Sequence, residues 1–133
     1  MPAEQALDMY NTTYTQPYKL SVAVSKAYDL NGNEEADGLL NAYPSGSMVS
    51  TAMDMSKYMI LLLGQNNNII DEAKKEMLFE QHFIMDESYS GIGYIWDRRK
   101  QNGHLYYSKD GDTDHFTSYI GIYPEQQIGV FLL

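Results

Sequence analysis

The chain has 133 residues, 44% hydrophobic and 20% charged, with 12 Tyr and 8 Met, a composition that suits one folded domain with a core and excludes a disordered chain. Its formal net charge is −9 and its isoelectric point about 4.5. Arg98-Arg99-Lys100 is the sole basic cluster, so phosphate-backbone binding, and with it nucleic acid, is not expected. There is no Cys and hence no disulfide framework. The longest wholly apolar stretch, Met59 to Leu63, is far too short for a membrane span. Met1-Pro2-Ala3-Glu4 lacks the basic-then-apolar pattern of a signal peptide. Localisation stays unknown, and export of a parent protein would need a signal upstream of this segment.

In chain order, residues 1–48 read as an irregular polar arm, punctuated at Asn11-Thr12-Thr13, Gln16-Pro17 and Asn31-Gly32-Asn33. Leu20 to Tyr28 fits a short strand or a short helix, and its periodicity does not decide. A helical part follows over 49–85. After a turn at Pro44-Ser45-Gly46-Ser47, Thr51-Ala52-Met53-Asp54 matches the capping-box pattern, with Ser50 as a rival cap. Met55, Tyr58, Met59 and Leu62 then share a helical face that Ile60, Leu61 and Leu63 widen, which predicts a mostly buried helix closed at Gly64. A second helix is expected over about 70–80, with Asp71 and Glu72 at its positive end and Ala73, Met77 and Leu78 inward.

From Gly91 the pattern turns to strand. Runs 91–99, 103–109, 115–123 and 127–133 are separated by short turns, among them the hairpin signal Asn102-Gly103 and the turn Pro124-Glu125-Gln126. The expectation is an α+β arrangement, helices followed by an antiparallel meander over 91–133, in one partial domain spanning 1–133. Within that meander, the strand bearing Tyr106 and Tyr107 runs into Lys109-Asp110-Gly111. A Lys-x-Gly triplet beside a second antiparallel strand places an ammonium and exposed N–H groups at one sheet edge.

Metal and cofactor signals are weak. Asp110, Asp112 and Asp114 alternate, but an EF-hand loop needs Gly sixth and Glu twelfth, where His115 and Gly121 stand. His82, His104 and His115 show no zinc-ligand spacing. No metal and no cofactor is expected. Trp96 and the Tyr-rich strands, which a carbohydrate platform would also use, suit core packing first.

Three ordered blocks together resemble the serine β-lactamases, the penicillin-binding D-Ala-D-Ala peptidases and related esterases. Pro44-Ser45-Gly46-Ser47-Met48-Val49-Ser50-Thr51-Ala52-Met53-Asp54 looks like their Pro-x-Gly-Gly-hydrophobic-x-Ser-Thr-Ala-x-Asp segment. Gly91-Ile92-Gly93-Tyr94-Ile95-Trp96 looks like their Gly-Leu-Gly-Trp strand. Lys109-Asp110-Gly111, with Phe116-Thr117-Ser118-Tyr119 and Tyr123-Pro124-Glu125, resembles their [Lys/His]-x-Gly strand, return strand and closing turn. Leu7-Asp8-Met9-Tyr10-Asn11-Thr12 is similar to a further family segment. The resemblance implies a partial β-lactamase/transpeptidase-like fold and an acyl substrate, whether peptide, β-lactam or ester. It implies that Lys109 steers a substrate carboxylate, that Gly111 allows close backbone approach, and that the Asp112 N–H is an oxyanion-hole donor. His115 replaces a usual Gly, and Asp110 and Asp112 bring carboxylates that would repel a substrate carboxylate.

The nucleophile motif of that family, Ser-x-x-Lys, does not occur. The residues three before each Lys are Gln16, Ala23, Asp54, Asp71, Glu72, Asp97 and Tyr106. No Tyr or Ser has Asn two positions on, so the second family motif is missing too. The expectation is a C-terminal fragment of a longer serine hydrolase, carrying the Lys-x-Gly wall and inactive alone. The alternative is a non-catalytic binding or assembly module that keeps the fold. An unpaired sheet edge ending in Leu132-Leu133 predicts a homo-oligomer.

Overall fold

The computed structural model describes residues 7–13, 24–35, 46, 48–64, 69–86 and 89–133. Gln16-Pro17, residues 20–23 and most of the Pro44–Ser47 turn lie outside the described residues. The elements are β1 (Ala27–Tyr28), β2 (Glu34–Glu35), α1 (Ala52–Leu62), α2 (Glu72–Phe79), β3 (Gly91–Ile92), β4 (Asp97–Gln101), β5 (His104–Asp112), β6 (Thr117–Tyr123) and β7 (Ile128–Leu132). This is the α+β order that the pattern predicts. Two compact units divide it: residues 1–57 with 112–117, and residues 58–111 with 118–133.

In the first unit, β1 and β2 form a small antiparallel hairpin within the stretch expected to be irregular. Its turn is built by Asp29, whose carboxylate accepts the N–H groups of Asn31 and Asn33, both at 2.8 Å, while Gly32 takes φ +84°. The Asn33 side-chain amide, which donates to the same carboxylate at 2.8 Å, and those backbone bonds hold the Asp29 carboxyl below its usual pKa. Leu7, Met9 and Ala27 are buried.

Helix α1 starts as its sequence dictates. Thr51 Oγ1 accepts the Asp54 N–H at 3.2 Å, which makes Thr51 rather than Ser50 the cap. The other half of the capping box is not made, because the Asp54 side chain is turned away to other partners. At the far end Gly64 adopts φ +82° and donates its N–H to Leu61 O at 3.0 Å, the left-handed close expected of a C′ glycine. The helix is less buried than its apolar run suggests. Met55, Leu61 and Leu62 are buried, but Met53 and Ile60 are exposed.

Helix α2 is capped by Asp71, which accepts the Lys74 N–H at 2.9 Å and pairs with Lys74 Nζ at 2.7 Å. Its inner side differs from the predicted one. Ala73 is exposed and Met77 half exposed, whereas Lys75 is 5% exposed. The Lys75 ammonium lies beside Gly64, its Nζ 2.7 Å from where a Cβ on that glycine would stand, and it pairs with Glu72.

The second unit holds a five-stranded sheet in the order β3-β4-β5-β6-β7, a plain meander. The pairs β3–β4, β4–β5 and β6–β7 are antiparallel. Asn102 and Gly103 both have positive φ, 52° and 83°, so the β4–β5 connection is the two-residue turn whose twist suits a hairpin. The β6–β7 turn runs Pro124 to Gln127, with Gln127 at φ +55° and its N–H on Pro124 O.

The run 91–99 is not one strand. Gly93 N–H bonds Trp96 O at 2.9 Å, closing a turn between β3 and β4. A Cβ on Gly93 would meet Glu80 O at 2.8 Å, so the chain bends where a glycine can pass the end of α2. The turn buries Trp96 to 2% exposure, and Phe79 packs on both Trp96 and Tyr107 with ring centroids 5.7 and 4.4 Å away. Gly129 on β7 admits Met59 of α1, whose Sδ lies 2.9 Å from where a Cβ would stand. Within the second unit, these contacts set Met59 and Phe79 against one face of the sheet.

The opposite face carries Arg99, Tyr106, Ser108, Tyr119 and Tyr123. Tyr106 and Tyr123 stack at 5.0 Å, and Arg99 pairs with Asp97 at 2.8 Å. Burial raises the Tyr119 pKa against a lowering by Ser108, and the Asp97 bond raises that of Arg99.

Candidate functional site

Strand β5 changes character along its length. Tyr106, Tyr107 and Ser108 are buried, whereas Lys109, Asp110, Gly111 and Asp112 are all exposed. The buried half is anchored by aromatic packing, and the exposed half continues the strand from it. Lys109 sits at the first exposed position. Its Nζ donates to the backbone O of Asp110 at 2.9 Å. The ammonium is thereby held along the strand and left accessible to a solvent-borne anion.

Gly111 of β5 lies close to Ser118 of β6. A Cβ at this position would stand 3.0 Å from Ser118 Oγ, and that hydroxyl donates to Gly111 O at 3.3 Å. The glycine is favoured by this approach rather than by a left-handed backbone. Ser118 belongs to the quoted Phe-x-Ser segment, but its pairing with Gly111 could not be read from the sequence, because it depends on β5–β6 proximity. Lys109, Gly111 and Ser118 therefore come together at one end of the sheet in the second unit.

Asp112, the third predicted site residue, is the last residue of β5 and is exposed. It opens the 112–117 segment of the first unit. The strand expected from His115 starts instead at Thr117. Thr113 and Phe116 close a turn: Thr113 N–H bonds Phe116 O at 2.9 Å, and Thr113 Oγ1 accepts the Phe116 N–H at 3.0 Å. His115, held in that turn, places its Nε2 3.4 Å from a Glu35 carboxylate oxygen, again within the first unit. The alternating Asp110, Asp112 and Asp114 do not converge: among the described residues no cluster of three or more His, Asp or Glu could hold a metal ion. Among those residues no helix is long and apolar enough to cross a membrane.

Asp54 does more than the capping-box pattern implies. It is 1% exposed and accepts the Asn11 N–H at 2.8 Å and the Thr12 hydroxyl at 3.0 Å, with Lys57 Nζ 3.4 Å away. Thr12 also bonds Ser50 Oγ at 2.8 Å. Two separate blocks of the sequence, Leu7–Thr12 and Ser50–Met55, are thus joined through one carboxylate. Its place in the helix pattern, on the inward side beside Met55, was the available signal.

Comparisons with known proteins bear on the fold and the family. The family model described as Beta-lactamase matches residues 4–133. Beta-lactamase-like protein 4 of Dictyostelium discoideum is 27% identical over 138 residues, covering 94% of this chain and 24% of that protein. A Homo sapiens protein described as beta-lactamase-like 1 is 30% identical over 93 residues, covering 68% of this chain and 19% of that one. This chain therefore spans about a quarter or less of the length of these relatives. Among solved structures, the octameric penicillin-binding protein homologue from Pyrococcus abyssi superposes with a TM-score of 0.77 at 20% identity, over 97% of this chain and 31% of that one. A class C beta-lactamase mutant gives 0.76 at 14% identity, over 96% and 43%. With the Lys-x-Gly strand, its close-packed return strand and the capped Ser-Thr-Ala-x-Asp helix in one chain, and a family model matching nearly all of it, this chain belongs to the beta-lactamase family.

Proposed function

We propose that these 133 residues supply one wall of a serine acyl-transfer site, and that the nucleophile comes from polypeptide outside them. The observation that carries this reading is the exposed end of β5, where Lys109 offers an ammonium and Gly111 lies tight against Ser118. Lys109 would attract the carboxylate of an acyl substrate, whether peptide, β-lactam or ester. The Asp112 N–H would donate to the oxyanion. The chain alone would be inactive, since it holds no Ser-x-x-Lys with which to form an acyl-enzyme. Incubation with a fluorescent penicillin and a chromogenic ester tests this directly: covalent labelling or a stoichiometric burst on the isolated chain would refute it. In a longer protein carrying Ser-x-x-Lys, Lys109→Ala should lower kcat/KM by about 100-fold. An unchanged value with the fold intact would make Lys109 a surface lysine.

A second reading, a non-catalytic assembly module, draws on strand β7. Among the described residues β7 has a neighbour on one side alone, and Ile128, Leu132 and Leu133 are exposed. An uncharged edge of this kind can pair with the same edge of a second copy. Sedimentation equilibrium at micromolar concentration separates the outcomes, a homodimer supporting the pairing and a cooperative folded monomer opposing it.

A further inference from the structure

A cavity of about 340 Å³ lies in the second unit, between the segment after α2 and the β4–β5 hairpin. Its walls include Gln81, Ile84, Arg98, Lys100, Leu105 and Glu125. The alternation of β4 puts Arg98 and Lys100 on one face of the sheet, and Leu105 is the cross-strand partner of Lys100. Arg98 is fixed in place: its Nη1 donates to Gln81 Oε1 at 2.9 Å. That partner is neutral, and among the described residues no carboxylate pairs with the guanidinium. Lys100 has no carboxylate partner among the described residues, whereas the neighbouring Arg99 points to the other face and is paired with Asp97. Among the described lining residues, two unneutralised cations stand against one carboxylate, Glu125, a positive balance in a chain whose overall charge is −9.

Two like charges at alternate positions on one strand repel, and the repulsion persists unless an anion sits between them. Ile84 and Leu105, both half-buried, form an apolar wall beside the cations. A head that accepts from a guanidinium fork and an ammonium, joined to a short apolar body, matches this combination. The size falls at the lower end of small-molecule sites, which run from roughly 300 to 1,000 Å³. Lys100 and Leu105 lie toward the His104 end of β5, the end away from Lys109 and Gly111. We propose that this cavity is a second binding site that takes a small organic carboxylate, its head held by Arg98 and Lys100 and its apolar body against Ile84 and Leu105.

The probe is hexanoate, titrated into the ¹⁵N-labelled chain and followed by amide and arginine side-chain NMR shifts, with 1-hexanol and inorganic phosphate as comparisons. Hexanoate should produce saturable shifts at Gly91, Gly103, Leu105 and Arg98 Nε below about 10 mM, a range typical of weak small-ligand binding. Removing the cations with Arg98→Gln and Lys100→Gln together should weaken binding about tenfold or more. Lys100→Gln alone, at an exposed position, should weaken it without disturbing the Arg98–Gln81 bond, and so serves as the test if the double variant folds poorly. The proposal fails if hexanoate gives no saturable shift, or if its shifts centre on Lys109 and Gly111. It fails equally if Lys100→Gln binds as the parent does, if hexanol binds as tightly as hexanoate, or if phosphate does.

Discussion

Replacing Asp54 by Ala should cost this protein about 3 kcal/mol of stability, a figure that follows from its partners. The Asn11 N–H loses a charged acceptor at 2.8 Å. An amide left without an acceptor in a part-buried site costs roughly 1.5–3 kcal/mol. Thr12 loses one of two hydroxyl contacts but keeps Ser50 at 2.8 Å, so its loss is about 0.5–1 kcal/mol. Lys57 is a third exposed, with 34% of its side chain open to solvent, and the solvent-screened pair adds about 0.5 kcal/mol. Against these stands the relief of no longer burying a carboxylate, which offsets part of the sum. Asp54→Asn keeps an acceptor for Asn11 and should cost roughly half as much. Urea unfolding followed by far-ultraviolet circular dichroism measures both variants, and a drop of about 10 °C in Tm should accompany Asp54→Ala. A change within about 0.5 kcal/mol would refute the reasoning, because it would mean that Leu7–Thr12 is not held to α1 through this carboxylate.

Gly111→Ala should destabilise by about 1 kcal/mol through the 3.0 Å approach to Ser118 Oγ, and the loss should shrink when Ser118→Ala is made first; a double-mutant cycle in urea measures the coupling, and additive effects would oppose it. Gly103→Ala meets no atom within 4 Å, so its cost is the left-handed backbone at φ +83° alone, about 1–2 kcal/mol, read from the thermal transition. Lys74 bonds lower the Asp71 pKa below its ordinary 3.8. A depressed carboxyl stabilises the fold above its unfolded pKa, and that contribution is lost as pH falls through the folded value. Acid titration by NMR should therefore find Asp71 titrating below 3.8 and the first turn of α2 fraying as it does, whereas an Asp71 pKa at or above 3.8 would contradict the cap.

What the sequence by itself determined is whatever depends on neighbours a few residues apart. The Thr51 cap, the Gly64 close of α1 and the Asn102-Gly103 hairpin were legible because one side chain or one positive φ sets each of them within a single turn. The α+β order and the Lys-x-Gly strand were legible for the same reason, as pattern along one segment. The tertiary structure alone decided the rest. Asp54 reads as an ordinary capping-box acid until Asn11 and Thr12, more than forty positions away, arrive to bury it. Lys75 reads as a solvated helix lysine until Gly64 makes room for its ammonium. Gly93 and Trp96 read as one strand with their neighbours until the end of α2 forces a turn. Gly111 shows its purpose when Ser118 is set beside it. A charge or a glycine costs free energy locally, and the compensating contact comes from chain that is remote in sequence, so only the assembled fold shows why each is there.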